Sequence, residues 1–512
     1  MLIQTQKVDV LLNEKIGVIS PYLHGQFAEH LGELIYPGIW VGEDSNIPNI
    51  GGIRKDIIAA LLPLHLPVVR WPGGCFADGY HWRNGIGTRA KRPMRINYYW
   101  GMAEEPNSFG THEFMAFCRA IKSEPYFTGN AGSGTPQEIG DWVEYCNFAG
   151  ESSLSQERRE NGSIQPFDVK FWAVGNENWG CGGRMDPETY ASVYTRMRTS
   201  MFDYSGTPVH GIACGSSGND WLWTRKVMDH FRNKHWNHLS TVQSLAAHYY
   251  CGTSGTATEY SSSQWLELLA RATAIEGLII GHRAIMDEFD PNRNVNLIVD
   301  EWGTWHPVES NKPNSGLYQQ NTMRDACVAA ITLDIFNNHA DKVYMANIAQ
   351  LINVLQALLL VQEDHCISTP TYSVYDLYQT HKGAQAVRFI SHAEEISNGG
   401  DSVEFCRDQS YERKGVSLKL IQGSASLKEK TLCITAVNTH PEMPVQLEIS
   451  LVGGGLHEIQ LTWLCHADIH AHNTFENPHT VQLSGIQTMT IHGSTINLEM
   501  PAASIVRIMG EL

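Results

Sequence analysis

Between about residue 15 and residue 385 the chain repeats one theme. A short apolar, β-rich run ends in polar or glycine-rich residues, and a helical stretch follows. The runs are Gly17–Gln26, Pro67–Trp71, Pro125–Gly129, Val169–Gly175, Val209–Gly215, Leu245–Tyr250, Asn296–Glu301 and Lys342–Gln350. Helical periodicity fills the intervals, as in Thr111–Ile121, Pro187–Met201 and Asn321–Phe336. Strands that alternate with helices build a parallel sheet, because a parallel pair needs a crossover between its members. Eight such units allow the sheet to close, so the expected fold is α/β, a (β/α)8 TIM barrel with long loops at its active face.

From 386 to 512 the pattern changes. Gly415–Ile421, Thr431–Val437, Val445–Leu451, His457–Trp463 and Ser504–Met509 read as strands separated by Gly and Pro turns. An all-β sandwich of jelly-roll type is expected there. A strand near Lys7–Leu12 is placed to join it, since it precedes the first barrel strand. The expected boundaries are 15–385 for the barrel and 1–14 plus 386–512 for the β domain.

Composition narrows the function. Apolar residues make up 42% and charged residues 18%, which suits a packed core rather than a disordered chain. The net charge is −17, from 37 basic against 54 acidic residues, with no Lys/Arg-rich segment of the kind a nucleic-acid surface needs. No run approaches the apolar length of a membrane span. The first residues alternate polar and apolar rather than forming a signal peptide, so a cytoplasmic protein is expected. The 11 cysteines include no C-x(2–4)-C pair. His112-Glu113 lacks the second His of a zinc-protease helix, and neither a P-loop nor a G-x-S-x-G elbow occurs. No metal and no organic cofactor are expected, and the natural partner is a neutral or weakly charged substrate.

Chemistry in such a barrel sits at the C-terminal ends of the strands. Two glutamates, Glu177 and Glu301, directly follow the fourth and seventh β runs. Those strand ends face each other across the mouth, where two carboxylates can flank one bond. Glycoside cleavage needs that pair, one acid to protonate the leaving oxygen and one carboxylate to attack the anomeric carbon. A lone strand-end Glu is more often a salt-bridged residue; two at these positions favour catalysis. Arg70 ends the second run and is placed to hold Glu301 ionised or to pair with another strand-end carboxylate. His248 and Tyr250 alternate on the sixth run, so both face inward. For His248 a structural network beneath the nucleophile is the preferred reading.

Asn-Glu on strand 4 with Glu on strand 7 resembles clan A of the glycoside hydrolases. The strings Arg70-Trp-Pro-Gly-Gly-Cys-Phe-Ala-Asp78, Gly129-Asn-Ala-Gly-Ser-Gly-Thr135, Gly175-Asn-Glu-Asn-Trp-Gly-Cys-Gly-Gly183 and Asp300-Glu-Trp-Gly303 resemble family 51, best known for α-L-arabinofuranosidases. The resemblance implies Glu177 as general acid/base and Glu301 as nucleophile of a retaining, exo-acting enzyme. It implies Glu29, Asn176 and Gln350 as ligands of the furanose hydroxyls, an oligosaccharide or polysaccharide substrate, and a homo-oligomer, commonly a hexamer. A β-xylosidase or endo-glucanase with the same two glutamates, and a carbohydrate-binding protein, are the alternatives.

The sequence departs from that pattern at Cys75, where some members of the family have an Asn that touches the sugar. A thiol is a poor substitute as a hydrogen-bond partner. Cys181 lies just beyond Glu177, and either a Cys75–Cys181 disulfide beside the sugar site or two small buried thiols is open. Trp100, in the loop after strand 2, and Trp179 are the aromatic side chains expected against substrate. The segment His306–Tyr318 is expected to shape the leaving-group side.

Overall fold

A computed structural model describes residues 5–233, 237–252, 255–309, 316–397 and 416–512. Its centre is a closed barrel of eight parallel strands, Gly25–Phe27, Val68–Trp71, Glu124–Gly129, Phe171–Val174, His210–Ser217, Ser244–Cys251, Asn296–Thr304 and Val343–Ala349. Seven coincide closely with the β runs expected. The first is shorter and later. Gly17 and Val18 end a different strand, and Ser20-Pro21 start a tight 3-10 turn whose first amide is capped by the Ser20 hydroxyl. Only Gly25–Phe27 enters the barrel.

Alternation along each strand separates two apolar layers. Val68, Tyr126, Phe171, Ala173, Ile212, Ala246, Ile298 and Met345 fill the interior as one cluster. Their chain neighbours Val69, Phe127, Trp172, Leu297 and Val299 face the surrounding helices. There Trp71 stacks on Phe114 at 5.0 Å, and Phe127 lies 4.8 Å from Trp142. Each such ring, removed from water, contributes roughly 1.5–3 kcal/mol. Local capping agrees with the packing. Thr135 accepts from the Glu138 amide to start helix Pro136–Asn147, and Thr322 with Asp325 forms a capping box on helix Met323–Asn338.

Outside the barrel, one mostly antiparallel sheet of nine strands stands where a sandwich was expected. It curls over a common core, since Val8, Ile434, Leu447, Ile459, Ile496 and Ile508, drawn from its middle and both flanks, share one cluster. Thr5–Val18 lies inside this sheet, antiparallel to Gln385–Ser391 and parallel to Val445–Val452, and runs past residue 14.

Helix Met323–Asn338 is buried nearly all round because the barrel lies on one side and this sheet on the other. Asp334 on that helix accepts from Ser424 and Thr435 of the sheet, both at 2.6 Å, and from Tyr378 at 2.9 Å. Burial raises its carboxyl to about 7, against the three donors. A folded-state pKa above the unfolded value gives stability that is complete below the unfolded pKa of 3.8 and is lost as pH rises through about 7. Asp334→Asn carries no such proton. Its melting temperature, below that of the parent at pH 5, is expected to close on or pass it by pH 8, with a change of at most about 1.4 kcal/mol per pH unit. A gap independent of pH in paired thermal melts would show that Asp334 does not titrate with folding.

Candidate active site

The site begins with Arg70. Alternation on Val68–Trp71 turns Val68 and Arg70 into the barrel and Val69 and Trp71 out of it. The guanidinium is buried, so its charge must be met locally. Its Nη1 donates to Glu301 Oε1 at 2.7 Å, its Nη2 to Asn176 Oδ1 at 2.5 Å, and its Nε lies 3.5 Å from Asp300 Oδ2. Both readings of Arg70 therefore hold at once. Burial opposes its charge, but Asp300 and Glu301 outweigh that and raise its pKa. Tyr250 donates to the other oxygen of Glu301 at 2.8 Å.

Asp300 and Glu301 are consecutive, yet both face the site. Simple alternation would send one of them outward. The seventh strand carries an extra residue against both neighbours: Ala246 and His248 pair with Ile298 and Glu301, and Val299 and Trp302 pair with Ala346 and Ile348. This bulge restores the inward direction one residue early. Asp300 also accepts from Tyr126 at 2.7 Å, and Arg70 and His248 hold its carboxyl low against burial.

After the fourth strand the backbone turns through left-handed conformations, φ +80° at Gly175 and +43° at Glu177. Such a conformation costs a non-glycine residue about 1–3 kcal/mol and persists only where neighbours impose it. Here the Glu177 carbonyl accepts from the amides of Gly180 and Gly182, and Asp78 accepts from the Asn176 amide at 2.8 Å. Asp78 also takes the amides of Ala131 and Gly132, which ties the loops after strands 2, 3 and 4 together. Burial lifts its carboxyl to about 7 despite these donors.

Glu177 accepts or shares a hydrogen with His248 Nδ1 at 2.9 Å, and burial raises its pKa. Its side chain keeps 21% of its surface exposed against 6% for Glu301, so Glu177 stands on the open side of the site. Oxygens of Glu177 and Glu301 and a nitrogen of His248 all lie within 4.8 Å of one another. That spacing is short enough for a metal ion, but both ring nitrogens of His248 already lie at hydrogen-bond distance from carboxylates, Nδ1 from Glu177 and Nε2 from Asp300.

Glu29 forms the opposite wall. It accepts from the Phe76 amide and from Trp100 Nε1, both at 2.9 Å, and from Gln350 Nε2 at 3.2 Å. Burial raises it to about 7. The Oε1 of Gln350 is buried without a protein partner, which leaves it an acceptor. Gly74 sits between the walls: a Cβ there would lie 3.1 Å from Glu301 and 3.3 Å from Glu29, so only glycine leaves the space between them open.

Cys75 and Cys181 are joined as a disulfide, with Cα atoms 5.6 Å apart, and Cys181 Sγ lies 3.7 Å from Glu177 Oε2. Trp179 donates to the Gly215 carbonyl at 3.2 Å. Of His306–Tyr318, residues 310–315 lie outside the described residues, and the His306 ring is buried 2.9 Å from Asp325. The structure thus brings Glu29, Arg70, Cys75, Trp100, Asn176, Glu177, His248, Tyr250, Glu301 and Gln350 to one mouth, with Trp179 on its edge. Asp78, Tyr126 and Asp300 belong to it as well and were not singled out from sequence. Asp78 and Asp300 end and begin two of the quoted strings, which was the available signal.

A closed eight-stranded barrel with glutamates at the ends of strands 4 and 7, one anchored by Arg and Tyr, defines a glycoside hydrolase site. Family models for the α-L-arabinofuranosidase 1 domain and the α-L-arabinofuranosidase C-terminal domain match residues 60–262 and 300–504. An intracellular exo-α-L-arabinofuranosidase of Bacteroides ovatus is 37% identical over 96% of this chain and 93% of its own. The family 51 arabinofuranosidase of Xanthomonas axonopodis pv. citri superposes with a TM-score of 0.90 at 37% identity, covering 99% of this chain and 100% of that one. The Thermotoga maritima enzyme, solved with arabinose, gives 0.85 at 30% identity over 99% and 100%. The chain belongs to the α-L-arabinofuranosidases of glycoside hydrolase family 51.

Arg70 is a buried cation facing both Asp300 and Glu301. Replacing it with Met leaves Glu301 and Asp300 buried without their cation. Arg70→Met is expected to lose about 3–5 kcal/mol of stability in urea unfolding, with activity falling in the folded fraction. A loss under about 1 kcal/mol would mean that the two carboxylates are neutralised elsewhere.

Proposed function

We propose that this α-L-arabinofuranosidase releases terminal arabinofuranose by double displacement, with Glu301 as nucleophile and Glu177 as acid/base. The observation that carries the assignment is the closeness of the two carboxylates, within 4.8 Å. Retaining enzymes hold such pairs roughly 5–5.5 Å apart, whereas inverting ones leave room for a water. Arg70 and Tyr250 keep both oxygens of Glu301 in place for attack on the anomeric carbon. Glu177, raised by burial and more open, gives its proton to the leaving oxygen and then takes one from water.

The sugar is read by Glu29, Asn176 and Gln350. Asn176 sits beside the nucleophile and is steadied by Arg70, so it suits the hydroxyl next to the anomeric carbon. Trp100, Cys75 and Cys181 close the far side, which favours one terminal sugar and therefore exo action. The intracellular location named for the Bacteroides relative makes short arabino-oligosaccharides the expected substrates in the cytoplasm. Among the described residues no helix is long and apolar enough to cross a membrane. A homo-oligomer is part of this reading. Exposed Trp221, Leu222 and Ile280 offer an apolar contact for a second copy.

Turnover of p-nitrophenyl α-L-arabinofuranoside is expected to exceed that of the β-xyloside and β-glucoside. Glu177→Ala should lose about 10²–10⁴-fold on oligosaccharides, whose leaving groups need the acid. With azide it should form the arabinosyl azide of retained configuration, since the sugar inverts once on Glu301 and again on azide. Glu301→Ala should give the inverted azide by direct attack. The same anomer from both variants in NMR product analysis would overturn the roles. Preference for another glycoside would leave the roles and move the substrate.

A further inference from the structure

His248 is buried and holds a bond on each ring nitrogen. Nε2 lies 3.1 Å from Asp300 Oδ1, and Nδ1 lies 2.9 Å from Glu177 Oε1 and 3.4 Å from Glu301 Oε2. An ionised carboxylate only accepts. Asp300 is kept ionised by Arg70 and by the Tyr126 hydroxyl, so Nε2 carries a hydrogen toward it. Nδ1 faces two further carboxyl groups, and a hydrogen there serves whichever of them is charged. The remaining neighbours are Tyr250, which donates to Glu301, and Glu29, which lies across the pocket beside Gly74.

The charges of this cluster sum in an informative way. In the resting site Arg70 and His248 supply two positive charges, while Asp300 and Glu301 supply two negative ones, with Glu177 protonated. In the first step the bond from the anomeric carbon to the leaving oxygen breaks and an ester bond to Glu301 forms. The Glu177 proton goes to the leaving oxygen. Glu301 has then lost its charge as a neutral ester, and Glu177 has gained one. In the second step water gives a proton to Glu177 and its oxygen replaces Glu301 at the anomeric carbon. The cluster is neutral at each stage provided His248 stays a cation.

We propose that His248 is a standing counter-ion shared by the two carboxylates of the reaction, serving Glu301 before sugar transfer and Glu177 after it. Asp300 is the positioning residue that holds its ring. This inference rests on the acid/base and nucleophile roles given above. Burial disfavours a charged ring, yet the carboxylates of Glu301, Asp300 and Glu177 together lift its pKa to about 10, consistent with a cation throughout the working range.

The variant His248→Asn keeps a hydrogen donor near the Nδ1 position and removes the charge. Without the cation both Glu301 and Glu177 ionise less readily. Both limbs of the kcat/KM profile for p-nitrophenyl α-L-arabinofuranoside are therefore expected to move to higher pH by about one unit or more. A donor with a purely structural role predicts a lower amplitude at unchanged pH. A second measurement does not depend on the variant folding well. The ¹⁵N spectrum of the histidine rings should show His248 with hydrogens on both nitrogens at pH 7, in the free enzyme and in the enzyme trapped with a 2-deoxy-2-fluoro arabinofuranosyl donor. Unmoved limbs, or a neutral His248 ring in either state, would overturn the proposal. Failure of the azide experiment would instead remove the roles on which it rests.

Discussion

Arg70 is a full positive charge placed where water does not reach, and much of the mouth is arranged around it. Burying a guanidinium is tolerable only with ionic and hydrogen-bonded partners in good geometry. Glu301, Asp300 and Asn176 are those partners. They come from strand ends 4 and 7, two and three strands around the barrel from strand 2 on either side. The interaction therefore fixes the spacing of the strand ends and sets a cation against Glu301. The same cation orients Asn176, whose backbone amide is held by Asp78 from the strand-2 side. Charge neutralisation and the placing of Asn176 thus share one set of bonds.

The bulge in the seventh strand explains how so much chemistry fits into a small opening. A regular strand offers an inward side chain at every second residue. By inserting one residue against both neighbours, this strand presents Asp300 and Glu301 together. Asp300 lies deeper, against Tyr126 and His248, and Glu301 faces Gly74 and the cavity. Division of labour follows from depth. The deeper carboxylate is met by Tyr126, His248 and Arg70, while the shallower one keeps an approach from the cavity.

The periodicity of the sequence made the barrel legible, because strands buried on both faces and separated by helices leave few other arrangements. It also made Glu177, Glu301 and Arg70 legible, since each directly ends a β run. The first strand was harder. Its segment contains Gly17 and Val18, which pair in the outer sheet, and the break at Ser20-Pro21 is one capped turn that apolar pattern alone does not resolve. Asp300 was hidden by the rule that made Glu301 visible, since alternation assigns only one of two consecutive residues to the interior. Asp78 was hidden for another reason. Its role is to collect backbone amides from three loops, and the partners of such a carboxylate are set by tertiary approach rather than by spacing.

The loops over the sugar site are pinned more firmly than substrate contact alone requires. The disulfide joins the strand-2 and strand-4 loops beside Glu177, Asp78 joins the same two loops beneath it, and Tyr99 donates to the Cys181 carbonyl above. Glu177 sits between these anchors with its backbone in the left-handed region at φ +43°. A general acid must meet the leaving oxygen within hydrogen-bond reach, and an error near 1 Å is costly. In the proposed role, the anchors hold Glu177 against that error on the side where the pocket opens. On the closed side Arg70 and Tyr250 hold both oxygens of Glu301, and His248 lies within 3.4 Å of Glu177 and of Glu301.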